Sequence, residues 1–400
     1  MKKIAFCSLL LSFIAAASYA QTVDLFDEEM LDSSTKSEVK KTNDIQPLQE
    51  TLSETTTEES TDTGTDTETG EEQNSSFLSF ITKPISLLFS ADDKIKTADG
   101  KEETFLEKSI RQAHEGKLED QLNLGYMYLY GTNGVGQDFA KAFEYYEMAA
   151  NQNDPVALNN LGSLYFNGIG TKVDLKKAVE LFSKSAELGN DNAAVNLAFI
   201  HLKGGVKSQG RNKIAVALFK KAAENGNNVA KFMLGYAYYI GFVYEQNYDL
   251  AFKYIKSAAA KSSNLDEAQI VLGEMYLNGR GTVQNYNKGI ASYRAAVNQG
   301  NSEAYMKLAD IYKKGEITPV NPLLAHSLYN IASVQGEPGA AEARDKIGKK
   351  IKLEELLQAQ ASAQNFKPAP SELTTYVRRT FGFNIRNYID MNVTTQKESK

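Results

Sequence analysis

The 400-residue chain contains no tryptophan, one cysteine, three histidines and eight prolines. Each scarcity closes off a class of chemistry. The single cysteine, Cys7, lies within the first twenty residues, so the rest of the chain can build neither a disulfide nor a cysteine-ligated metal site. Cys7 also sits too early, behind the wrong residues, to be a lipid-attachment cysteine. His114, His201 and His326 are far apart, and an isolated histidine on a helix is more often structural or solvated than catalytic. There is no phosphate loop, no H-E-x-x-H, no G-x-S-x-G and no CxxC. We therefore expect no enzyme: no catalytic residue, no cofactor and no metal. Carboxylates are numerous but spread over helix faces, where such charges solvate the surface. After residue 20 no apolar run is long enough to cross a bilayer.

Residues 1–20 read as a secretory signal. Lys2 and Lys3 precede an apolar run from Ile4 to Ala17, and Ser18-Tyr19-Ala20 forms a small-x-small cleavage site. Residues 21–75 hold sixteen acids and three bases, and residues 51–75 contain nine threonines, eight acids and no base. Such a segment cannot bury enough apolar surface to offset its backbone entropy, so a disordered acidic linker is expected. The total charge is −6, the arm carries −13 and the signal +2, which leaves −6 + 13 − 2 = +5 on residues 76–400. That charge is too dilute to argue for nucleic acid. Residues 77–89 place Phe77, Phe80, Ile81, Ile85, Leu88 and Phe89 roughly on one helical face, interrupted by Pro84. A peripheral membrane or partner-docking segment is one reading; a short element packed on the first repeat is the other. Residues 76–100 are a connector.

What the chain has in abundance is repetition. Gly125, Gly162, Ala198, Gly235, Gly273 and Ala309 follow one another at spacings of 37, 36, 37, 38 and 36. A single compact core needs no such period, whereas a stack of helix pairs does. In the unit 157–190, Ala157, Leu161, Leu164 and Tyr165 share one face of a first helix. Gly162 lets a neighbouring helix approach closely, and Gly168 and Gly170 end that helix. Asp174 caps a second helix whose buried stripe is Ala178, Leu181, Phe182 and Ala186. Equivalent caps are Asp138, Asn247, Asn285 and Asn321, the last followed by Pro322 at the first helical position; Arg211 occupies this place in the third unit. Six pairs, with a half-unit before them, are expected over residues 101–337. Residues 338–365 are expected to form one capping helix or a short coiled coil, and 366–400 a tail carrying Tyr376, Phe381, Phe383 and Tyr388.

The pattern A-x-x-x-L-G-x-x-Y-x-x-G-x-G, followed by D-x-x-K-A-x-x-(Y/F)-(Y/F)-x-x-A-A, resembles the Sel1-like repeat. The units beginning near Gly125 and Ala157 match closely, those near Gly235 and Gly273 well, and those at Ala198 and Ala309 depart by replacing glycine. The resemblance implies an all-α, right-handed superhelical solenoid of antiparallel helix pairs, related to the tetratricopeptide repeat. It also implies an adaptor role. Exported bacterial members are linked to envelope maintenance or host-cell interaction. One cysteine-rich branch is associated with β-lactam binding, and this chain lacks that branch's cysteines.

One position after each small residue stand Tyr126, Ser163, Phe199, Tyr236, Glu274 and Asp310, a mixture suited to a surface. By resemblance to tetratricopeptide stacks this position faces the concave groove. Tyr126, Phe199 and Tyr236 are accordingly the candidate partner-binding residues; packing between repeats is the competing reading. The functional expectation is an exported, non-enzymatic scaffold in the periplasm, on the outer membrane or at the cell surface, binding envelope or host proteins. The alternative is a protein that binds or acts on peptidoglycan.

Overall fold

The structure, a computed structural model, describes residues 92, 94–96, 102–205, 210–382 and 384–398. All lie within one of the two units into which the chain divides, Pro47–Lys400. The signal-like start, the acidic arm and the apolar segment 77–89 lie outside the described residues.

A short antiparallel hairpin opens the described chain, with β1 (Lys94–Lys96) paired to β2 (Glu102–Thr104). Helix α1 (Phe105–His114) follows, started by a reciprocal capping box between Thr104 and Glu107. Six helix pairs come next. They are α2 (Leu118–Tyr130) with α3 (Phe139–Ala150), α4 (Pro155–Asn167) with α5 (Leu175–Glu187), and α6 (Asp191–Lys203) with α7 (Arg211–Glu224). Then come α8 (Asn228–Ile240) with α9 (Tyr248–Ala258), α10 (Asp266–Asn278) with α11 (Tyr286–Asn298), and α12 (Ser302–Lys314) with α13 (Pro322–Val334). This is an all-α solenoid.

The helix boundaries follow from local chemistry. Asp138, Asp174, Asn247, Asn285 and Asn321 each accept a backbone N–H of the following turn, as N-cap side chains do. The third pair lacks such a residue, and α7 starts after Gly210 without a side-chain cap. At the other end of α4, Gly168 adopts φ 68°, a conformation that any side chain would strain. The small residues act as inferred. A Cβ on Gly162 would lie 3.0 Å from the ring of Phe182, and one on Gly273 2.7 Å from that of Tyr293. In the first, second and fifth pairs the second helix lays an aromatic ring over the backbone of the first, and in the fourth Ile255 takes that place over Gly235.

The sequence period reappears as hydrogen bonds between successive pairs. Asn190 donates to the Pro155 carbonyl at 3.1 Å, 35 residues away, and Asn227 to Asn192 at 2.9 Å across the same separation. Asn196 donates to Asn159 at 2.8 Å, 37 residues away. Between these polar contacts lie continuous apolar clusters that run from one pair into the next, so no pair stands alone.

One segment departs from expectation, and the structure gives the tail a place that the sequence leaves open. Residues 338–365 are not one helix or a coiled coil but two helices, α14 (Ala340–Gly348) and α15 (Leu353–Asn365). The break at residues 349–352 lets both pack on α13. Ile347 is buried in the last cluster, while the Ser327 hydroxyl donates to the Ala359 carbonyl at 2.8 Å. The tail starts on the last repeats, where Phe366 joins the cluster around Tyr305 and Arg386 reaches Glu303, but it does not stay there. After the exposed stretch 367–370 it forms α16 (Glu372–Phe381) and α17 (Asn387–Glu398), and these return to the first helices of the third, fourth and fifth pairs.

Candidate partner groove

Each pair contributes its first helix to one shared face, and the position after the small residue lies on it. The three sequence candidates meet different fates there. Tyr126 on α2 is half-buried, its ring 4.7 Å from that of Tyr130, which is 43% exposed. Phe199 on α6 and Tyr236 on α8 are buried, at 3% and 8% exposure. Neither the surface reading nor packing between repeats accounts fully for this, because the chain's own C-terminal helices cover both rings. Phe199 meets Phe381 at 4.2 Å and Tyr388 at 5.1 Å between centroids. The Tyr236 hydroxyl donates to Asp390 at 2.8 Å.

The covering segment holds on by two kinds of contact. Leu373, Val377, Phe381, Ile385 and Ile389 recur every fourth residue and join one apolar cluster with α6 to α10. Polar groups flank that stripe. Arg378 donates to Asp266 at 2.6 Å, and Arg386 donates to Glu267 at 2.6 Å and also to Glu303. Asn392 donates to the Leu202 carbonyl at 3.0 Å and accepts from Arg211 at 3.2 Å.

Asp266 and Glu267, two of the three acids that receive these arginines, sit where the repeat is irregular. Helix α10 starts at Leu265, which has no capping side chain, whereas α4, α6, α8 and α12 start at Asp154, Asn190, Asn227 and Asn301, which do cap. The tail supplies an acceptor for another free N–H of this turn: the Asp266 N–H donates to the Thr374 hydroxyl oxygen at 3.1 Å. Ser371 caps α16 and also donates to the Asn264 carbonyl at 3.0 Å. Asp266 and Glu267, at the positive end of α10, are nearly fully buried beneath the segment.

Burial dominates the electrostatics of this cluster. It pushes the Glu267 carboxyl up to about 7, with Arg386 opposing the rise. Burial alone would lower Arg386, but Glu267 and Glu303 outweigh it and hold the guanidinium above its ordinary range. Glu303 is held below the carboxylate range because Arg386 and Lys307 overcome its own burial. Burial raises Tyr236 and Asp390. His201 and His326 are both buried, and burial lowers both. Among the described residues no group of three or more His, Cys, Asp or Glu could hold a metal, and no helix is long and apolar enough to cross a membrane.

Sequence reading found the aromatic positions on the repeats but missed their occupant. The signal was present: apolar residues at 373, 377, 381, 385 and 389 form a four-residue period that continues through the turn between α16 and α17. Glu267 and Glu303 carried no signal, since each reads as an ordinary first-turn acid of its helix.

Stacked helix pairs whose first helices make a face that holds another helix define a helical-repeat interaction scaffold. The chain belongs to the Sel1 repeat family, whose profile matches residues 118–154, 155–190, 191–227, 228–263, 266–301 and 302–336. Residues 264 and 265, between the fourth and fifth matches, are the irregular junction on which Ser371 and Thr374 act. A solved Sel1 repeat protein from Oxalobacter formigenes is 28% identical, with a TM-score of 0.50, covering 57% of this chain and 99% of that one. Among curated proteins, the ERAD-associated E3 ubiquitin-protein ligase component HRD3B of Arabidopsis thaliana is 27% identical over 278 residues, covering 52% of this chain and 41% of that protein. Chitin synthase regulatory factor 3 of Schizosaccharomyces pombe is 27% identical over 209 residues, covering 50% and 22%. The chain spans less than half the length of either curated relative.

Proposed function

We propose that this protein is an exported, non-enzymatic scaffold that binds protein partners through the first-helix face of its repeats, in the cell envelope or at the host interface. The observation that carries the binding reading is the chain's own helical segment held on that face by an apolar stripe and flanking charges. Export rests on the signal-like residues 1–20. Membership of the Sel1 family supports an adaptor, and the curated relatives are named as a component of a larger ligase and as a regulatory factor, neither name describing catalysis by the repeats themselves.

The half-buried Tyr126 and exposed Tyr130 on α2, with Ser163 and Asn167 on α4, form the part of the face that a partner meets first. Arg379 of the tail approaches there, its guanidinium 5.6 Å from the Tyr130 ring centroid, and Tyr376 lies near enough to interact with Tyr130. The test is affinity capture from envelope extracts, with partners identified by mass spectrometry, comparing the wild type with a Tyr126→Ser/Tyr130→Ser variant. Loss of the captured partner with unchanged melting is expected. Equal capture by both proteins removes the groove from the explanation, and co-sedimentation with purified cell wall in place of any protein identifies a peptidoglycan binder.

A further inference from the structure

The tail could be ordinary core or a ligand that happens to be tethered, and its construction separates the two. It is joined to the body by residues 367–370, which are exposed, include Pro368 and Pro370, and make one backbone hydrogen bond to the body, from the Ala369 N–H to the Asn298 carbonyl at 2.7 Å. Its two helices pivot at Gly382, where φ is 87°. Its floor is apolar, and beside neutral hydrogen bonds from Ser371, Thr374 and Asn392 it is held by three ion pairs: Arg378 on Asp266, and Arg386 on Glu267 and Glu303. Buried ion pairs add little net stability over apolar packing, yet they discriminate strongly against a partner that lacks the right charge. Without the segment, the face would present Asp266, Glu267, Glu274 and Glu303 beside Tyr236, with Lys307 paired to Glu274 and Glu303, and Lys203 and Arg211 at the other end, where Tyr388 and Asn392 now lie. An acidic rim around an aromatic floor fits a basic amphipathic helix. The face continues past the end of the segment onto α2 and α4, which gives a competitor a place to start.

We propose that residues 371–394 are a tethered, exchangeable occupant of the groove, and that the protein's partner presents a helical segment of the same chemistry: an apolar residue every fourth position, with arginines placed to reach Asp266 and the Glu267/Glu303 pair. The tether raises the local concentration of the internal segment, so the groove of the intact chain is closed to weak ligands and opens only to one that outcompetes it. This rests on the groove reading of the proposed function and adds the partner's chemistry and a closed state.

The experiment keeps the whole chain. A protease site is inserted between Lys367 and Pro368, and the purified protein is cut. A fluorescent peptide of residues 371–394 is then added before and after cutting. The cut protein is expected to take up the peptide and release its own segment, while the uncut protein takes up at least about tenfold less. A peptide carrying Arg386→Glu is expected to bind about thirtyfold or more weakly. Circular dichroism and melting are followed on the same samples. The proposal is overturned if the cut protein keeps its own segment against excess peptide, if the Arg386→Glu peptide binds equally well, or if release coincides with collapse of the repeats. Those outcomes leave the Tyr126/Tyr130 capture test intact, so failure of the exchange is distinguishable from failure of the groove itself.

Discussion

At Gly273 the missing methyl group makes room for a ring. A Cβ there would approach the Tyr293 ring to 2.7 Å and the Gly289 carbonyl oxygen to 3.1 Å, and Tyr293, at 4% exposure, has nowhere to swing. Alanine would gain about 1 kcal/mol in helix propensity. Overpacking costs about 1–3 kcal/mol, so Gly273→Ala should lower stability in urea unfolding. Ala198→Gly, at the equivalent place where the methyl is native, should cost about 1 kcal/mol through propensity alone. The buried histidines set a pH response. His201 and His326 have folded values below 6.5, so their contribution is complete above pH 6.5 and is lost as pH falls from there through the lowered folded values. The wild type should therefore lose melting temperature below pH 6.5 faster than a His201→Gln/His326→Gln variant. Glu267 acts with the opposite sign: raised from 4.5 to about 7, its ionisation opposes folding, and that opposition is relieved as pH drops from 7 to 4.5.

Helix starts are decided by single side chains, and two of them are informative. Asp174→Ala removes the cap of α5 and should cost about 1 kcal/mol in equilibrium unfolding. Thr374→Val acts on a helix more than a hundred residues away in sequence. It leaves the buried Asp266 N–H at the start of α10 without its acceptor, an expected loss of about 1–3 kcal/mol. The local cap of α5 was readable because Asp stands directly before an apolar-periodic run. The cap of α10 was not, since no local pattern shows that a tail threonine will arrive there. The same blindness affects Phe199. A surface position at Phe199 would let serine spare melting, yet Phe199 is packed by Phe219, Phe381 and Tyr388. Truncating it should cost about 3–5 kcal/mol, which is why the binding test uses Tyr126 and Tyr130 instead.

A stack of repeats is a nearest-neighbour system, in which each pair depends on the next and distant pairs open independently. The C-terminal helices change that behaviour. They tie α6, α10 and α12 together through bonds spanning 83 to 190 residues: Arg386 to Glu303, Arg378 to Asp266, and Asn392 to the Leu202 carbonyl. Native-state hydrogen exchange should therefore show α6, α8 and α10 opening together, with α1 and α2 exchanging faster. A uniform gradient along the stack would contradict the tie.

The amino-acid order alone determined the helix pairs, the local caps such as Asp174, their glycine contacts and the repeat they belong to, because each is set by residues within one turn or one period of each other. The tertiary structure alone decided that residues 338–365 divide into two helices and that the tail lies on the third to sixth pairs. Docking depends on which acids and rings of distant repeats end up side by side. That adjacency exists only once the stack has formed, and no spacing along the chain encodes it.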